Sequence, residues 1–435
     1  MFYALFHVLI VLPALYGLVR KLRSQPLGSI FLPGLLLKIA AGWAVVGIFQ
    51  RYYNGGDVVH TFQQSLLLRE ILMESLWRFW QFPYDMPQGD FYYLNGFPDL
   101  SPSFIFLCKA TALISLLTGE NIWLISAWFS AFAFAGFWLL GNELCRRNDN
   151  LKIPVVIAFF LVPSVVFWSA GLLKETLLWG AMGLLFWAVL LLVAHYCRCS
   201  CPHEQPSCKW FVRTQTMVIV CLLITTAAFA AWILFEVKYY IFAVAMLTLA
   251  VYMLLKWQKH LWLTLAVAVV LLPLLLWAMG QLHPNLSLDG LAIAVHRNYE
   301  RMVAISDADN LIWLDLQPDF FSLVGQIPFA LKATLLAPMP WEGGNLLRKW
   351  VGMENLLLLA LALGIRLPNH TQHLAEIIAA IVFAATLAVI LTLSSPNVGA
   401  LARYKVSYLP ILWLLVCSGN RFLRTLHMAK LKAFF

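Results

Sequence analysis

The feature that most constrains this chain is the recurrence of apolar runs of about 17–25 residues. A run of about 20 residues, at about 1.5 Å per residue, crosses the ~30 Å hydrocarbon core of a bilayer. They read as spans over 2–19, 29–49, 122–142, 153–171, 176–195, 216–236, 239–255, 260–280, 353–367, 374–394 and 405–419. In lipid every backbone polar group must be satisfied internally, which leaves helices and closed barrels. A barrel needs alternating apolar and polar positions, and continuous runs stand here instead. The expected fold class is therefore all-α, a polytopic integral membrane protein of about eleven transmembrane helices. The first segment lacks a basic leading region and a small-residue cleavage site, so it reads as a retained helix and not a cleaved signal.

Charge sets the expected orientation. Of the residues, 62% are hydrophobic and 12% charged, against about 45–50% and about 25% in ordinary globular domains. The net charge of +9 argues for basic loops that orient a membrane protein, with no nucleic-acid partner. Arg20, Lys21 and Arg23; Arg146, Arg147 and Lys152; Arg198, Lys209 and Arg213; Lys256 and Lys259; and the tail Arg421, Arg424, Lys430 and Lys432 form five clusters. All five fall on the cytoplasmic side only if 102–118 does not cross. That stretch then reads as a re-entrant or interfacial helix, 320–338 belongs to the outer face, and the amino terminus lies outside.

The outer face then collects the chemistry-bearing sequence. Asp57 and His60 follow Gly55-Gly56 where the second span leaves the lipid, and sit one helical turn apart if a helix starts there. A carboxylate beside an imidazole suits a general base or a ligand for a divalent cation, Mg or Mn. Residues 62–80 carry apolar positions at helical spacing and read as an amphipathic helix on the surface. Lys174-Glu175 stands between two apolar spans, where Glu175 could be a second acid facing Asp57. Arg403 offers a bidentate grip on phosphate, with Lys405 and Lys238 as point charges. Tyr239, Tyr240 and Tyr404 present rings for stacking on sugar, and Trp341-Glu342 lies in a Pro- and Gly-rich loop suited to an acceptor. His195, Cys197, Cys199, Cys201, His203 and Cys208 form a dense cluster whose spacing is not that of a structural zinc module.

The order of these pieces resembles the amino-terminal module of the GT-C superfamily, membrane glycosyltransferases that use polyprenyl-linked sugars. An Asp lies in the first outer loop, followed by an amphipathic helix and a half-helix opened by Ser101-Pro102 and closed by Gly119-Glu120-Asn121. A span ending Gly141-Asn142-Glu143-Leu144-Cys145-Arg146-Arg147 comes next, then one ending Pro163-Ser164 and Phe167-Trp168-Ser169, with an acid eight residues beyond the Phe. The resemblance covers roughly residues 30–195. An extra apolar segment precedes the usual first helix, and Lys-Glu stands where many members have Arg-x-Asp.

The resemblance implies a catalytic module over 29–195 with an outer loop 50–101. Around it lie a leading helix and turn (1–28), a Cys-rich cytoplasmic loop (196–215) and a helical module (216–435) with an outer loop 281–352. It implies Asp57 and Glu175 as active-site acids; read from the residues themselves, His60 assists them, and Lys174, Lys238, Arg403 and Lys405 meet the donor phosphate. The expected reaction moves a sugar from a polyprenyl phosphate or pyrophosphate to a lipid, glycan or protein acceptor. The expected place is the outer side of a bacterial cytoplasmic membrane. A polymerase or ligase of lipid-linked glycans would share the cationic outer loops. A flippase or transporter would instead bury ionisable residues in mid-span; here Lys38 is the only clear one and the rest cluster at one face, which weighs against transport.

Overall fold

A computed structural model describes residues 2–52, 56–83, 101–199, 209–257, 287–342, 346–366 and 373–423, with isolated positions between 274 and 285. The span read over 260–280, the Cys-rich loop after Cys199, the distal part of the first outer loop and the end of the basic tail lie largely outside the described residues. Among the described residues every regular element is helical. Five helices are long and apolar enough to cross a membrane: Gly28–Arg51, Ile122–Arg147, Lys174–His195, Met217–Lys256 and Leu374–Ser394. A sixth is reached if Val398–Ser407 and Leu409–Gly419, bent by 66°, count as one broken span. The chain is thus an all-helical, membrane-embedded protein.

The chain divides into two compact units, one of residues 1–152 and 166–239, the other of 153–165 and 240–435. The first unit opens with α1 (Phe2–Phe6), a π-helical turn (His7–Val11) and α2 (Leu12–Leu22). Then come α3 (Gly28–Arg51), α4 (Gly56–Glu74), α5 (Leu76–Gln81), α6 (Pro102–Thr118) and α7 (Ile122–Arg147). The helix α7 packs antiparallel to α3. Trp43 donates to the Trp123 carbonyl (2.9 Å) near one end, and Trp138 donates to the Leu27 carbonyl (3.3 Å) near the other. Asn121 caps the start of α7 by accepting from the amides of Trp123 and Leu124, while Asn142 near its end accepts from the Leu27 amide. The leading helix follows the same axis. Tyr3 meets Gly119 and Arg69, His7 accepts from Trp128, and Gln25 accepts from Asn142 and Arg146. It therefore starts at the end where α7 starts.

A glycine-lined approach tightens this bundle. α8 (Lys152–Val156), a second π-helical turn (Ile157–Leu161) and α9 (Pro163–Trp168) follow α7 in sequence, residues 153–165 belonging to the second unit. α10 (Lys174–Cys199) then packs on α7 across Gly136, Gly180 and Gly183. A Cβ at Gly136 would collide with the Gly180 carbonyl, so the two backbones touch where side chains would hold them apart. α11 (Lys209–Trp257) contains 49 residues, and its apolar window of 40 would reach about 60 Å as one straight rod, twice the bilayer core. It breaks at Lys238, whose φ of −154° and ψ of 88° are not helical. The break falls between the two spans read at 216–236 and 239–255.

The surface stretch 62–80 is not one helix. Ser75 (φ −157°, ψ 117°) interrupts it and accepts from the Arg78 amide, ending α4 and opening α5. The buried stripe of α4, Val58, Thr61, Ser65 and Leu68, recurs at three- and four-residue intervals and faces α6, so the helix is packed on the protein and not laid free on the surface.

The second unit holds α12 (Leu288–Ala304), α13 (Phe320–Gly325), α14 (Ile327–Leu336), α15 (Leu346–Ala362), α16 (Leu374–Ser394), α17 (Val398–Tyr404) and α18 (Leu409–Gly419). Its core joins Ala292, Val295 and Tyr299 of α12 to Ala330 of α14 and to Val389 and Leu393 of α16. The stretch 320–338 is two short helices, the longer with 10 residues, too short to cross a membrane.

Candidate functional site

In the first unit the expected residues gather around the start of α6. Lys174 opens α10 and donates to the Ser103 hydroxyl (3.0 Å), one residue into α6. The next residue, Glu175, is 1% exposed and pairs with Lys238 at 3.2 Å. The non-helical backbone at Lys238 accompanies this pairing at the break of α11. Removing both charges from water is expensive, so such a pair persists only where its geometry is good. The carboxylate expected to face Asp57 is therefore neutralised by a cation read from an independent stretch of sequence.

Asp57 occupies the first turn of α4 and is exposed, as is His60. The helices α4 and α6 run alongside in the same direction: the Thr61 carbonyl meets Cys108, and Arg69 pairs with Glu120 at 2.7 Å. Asp57, one turn before Thr61, consequently stands at the end of this pair where Ser103 binds Lys174. A carboxylate near the amino end of a helix is favoured by the helix dipole. Tyr239 follows Lys238 at the break, half-buried.

One charged residue of this region, Lys109, was not singled out from sequence. Lys109 donates to the Trp80 carbonyl (2.8 Å) at the end of α5 and lies over the Phe79 and Trp80 rings. Glu236 stands near it and accepts from Trp232 (3.2 Å). Burial pushes the Lys109 ammonium below the usual lysine range, and Glu236 opposes the shift. The signal was legible in Lys109, the one charged residue of 102–118.

The second unit holds the rest. Lys405, expected to face a phosphate, is instead 2% exposed and donates to the carbonyls of Thr334 (2.8 Å) and Ala337 (2.6 Å). These are carbonyls at the end of α14, which lack intrahelical donors. Arg403 and Tyr404 end α17 half-buried, and Tyr240 is half-buried in α11. Trp341 is 71% exposed, and Glu342 lies 3.9 Å from Arg348. Arg348 also donates to Asn310 (2.9 Å), and Asn355 to the Pro338 carbonyl (2.8 Å), so the loop carrying Trp341 is tied down on either side. Glu354, buried, accepts from the amide and hydroxyl of Ser164.

Among the described residues no three His, Cys, Asp or Glu side chains converge as metal ligands. No residue set for a divalent cation is therefore assigned. Compared with protein-family models, curated proteins and solved structures, the chain matches none.

Proposed function

We propose that this chain is a membrane glycosyltransferase of GT-C type, crossing the bacterial cytoplasmic membrane about eleven times with its active face outside. It takes a sugar from a polyprenyl phosphate or pyrophosphate and passes it to a lipid, glycan or protein acceptor. The observation that carries this reading is the pair of buried Glu175 with half-buried Lys238 beside Lys174 and Ser103, at the end of the α4–α6 pair where Asp57 is exposed.

In this scheme Asp57 accepts the proton of the acceptor hydroxyl while that oxygen attacks the anomeric carbon. The bond from that carbon to the donor phosphate breaks, and the phosphate leaves with the electron pair. His60, one turn along, orients Asp57 or relays its proton. Lys174 and Lys238 offset the charge that builds on the leaving group, where fixed cations in a low-dielectric setting are most effective; Arg403 is the half-buried cation of that kind in the second unit. Glu175 keeps Lys238 in place. The phosphate is already a good leaving group, so positioning and charge neutralisation carry most of the rate. Tyr239 supplies a stacking surface for sugar in the first unit, and within the second unit Tyr240, Trp341, Glu342 and Tyr404 are the groups suited to sugar or acceptor. No step is routed through a metal.

The test compares lipid-linked glycans from cells carrying Asp57→Asn with those from wild type. Loss of one glycan species with the variant inserted and folded is the expected result. An unchanged glycan profile in that variant would remove the glycosyltransferase reading.

A further inference from the structure

The most unusual ionisable group outside this site is Lys38. It lies midway along α3, a helix of 24 residues, and is 4% exposed. A charged side chain at such a depth is costly and marks a functional position by default. Its ammonium donates to the Val166 carbonyl (3.2 Å) and to the Ser169 hydroxyl, and lies 5.2 Å from the Trp179 ring centre. Val166 and Ser169 flank the point where α9 unwinds into the loop 169–173. In transporters with broken helices, unwound carbonyls of this kind hold a coupling cation. Here a side chain of the protein supplies the positive charge, fixed to the chain.

The loop is gripped a second time two residues on. Gly171 (φ +75°) donates its amide to Ser130 (2.9 Å), and its backbone lies against Gly42, one helical turn beyond Lys38 on α3. From this anchored loop the chain passes directly into Lys174 and Glu175. We propose that Lys38 is a positioning residue. Its ammonium closes the break between α9 and α10 and so fixes where Lys174 and Glu175 are delivered at the start of α6. The role of those two residues in sugar transfer rests on the function proposed above, but the positioning itself does not.

The test is therefore made without an activity assay. In a background with all eight cysteines replaced, the pair Ser103→Cys and Lys174→Cys is cross-linked with a short bifunctional thiol reagent. The pair His7→Cys and Trp128→Cys, in contact elsewhere in the unit, is the control. With Lys38→Met added, the 103–174 yield falls about tenfold, the equivalent of losing ~1.4 kcal/mol of anchoring, while the control yield holds. An unchanged 103–174 yield overturns the proposal, and so does an equal loss at both pairs, which would make Lys38 a general support of the bundle. If the loop is released yet lipid-linked glycans are unaltered, the positioning stands and the glycosyltransferase reading falls.

Discussion

The cations of the two units look alike in sequence and are used differently. Lys238 in the first unit and Lys405 in the second each sit in a Lys-Tyr or Tyr-Lys pair next to an apolar span. Lys238 retains 13% of its side-chain exposure and balances the carboxylate of Glu175. Lys405 is wholly enclosed and its ammonium is taken up by two helix-end carbonyls. A cation held by a carboxylate at a partly open boundary can also meet an arriving anion. One enclosed among carbonyls supports the helix it caps, and an anion could reach it only by dismantling that cap. Position next to a span thus does not report whether a charge is free to act.

The largest expected effect breaks the second half of this contrast. Lys405→Ala leaves the Thr334 and Ala337 carbonyls without a donor and opens a cavity where a fully buried side chain stood. It should lower stability by about 4 kcal/mol, combining a large-to-small truncation with unsatisfied buried acceptors. Lys405→Met, which keeps most of the volume, should cost about 1–3 kcal/mol. Both are read by unfolding in mixed micelles. A stability loss below 1 kcal/mol for Lys405→Ala, taken as the ordinary size of a substitution effect, would show that this lysine is no cap.

Next comes the pair in the first unit. Glu175→Gln or Lys238→Met alone removes its partner's counter-ion in a largely dry site and should cost about 2–3 kcal/mol. The double variant should recover most of that loss, because an ion pair replaced on both sides can be nearly neutral. The coupling is obtained from the four unfolding curves of the double-mutant cycle. Simple additivity of the two losses would mean that the pair is not a unit. The contrast with Lys405 would then disappear.

Membrane class and helical content were readable because lipid demands long apolar runs and satisfied backbones. The break at Lys238 fell between two proposed spans for the same reason, since 40 apolar residues exceed one crossing. The Glu175–Lys238 pairing was not readable: the residues are 63 positions apart, and no local pattern connects them. The fate of Lys405 was hidden too, because its acceptors are main-chain carbonyls, which every residue carries and no sequence distinguishes. The Ser75 interruption of α4 was within reach, as a serine three residues ahead of Arg78 at a helix start is an ordinary cap. The apolar periodicity across it outweighed that cue.

The smallest expected effects concern the exposed residues of each region, and they decide how any loss of product is interpreted. Asp57 in the first unit and Trp341 in the second both face outward, one exposed in the first turn of α4 and the other 71% exposed. Neither fills a core, so Asp57→Asn and Trp341→Ala should each stay within about 0.5 kcal/mol of wild type. If Asp57 takes the acceptor proton, its variant should abolish product formation at unchanged stability, because an amide cannot serve as the base. Trp341→Ala should retain turnover at saturating acceptor and lose apparent affinity, the signature of a ring that binds but does not react. A variant of Asp57 that lost product only in proportion to lost stability would place that carboxylate alongside Lys405, as a support of the fold.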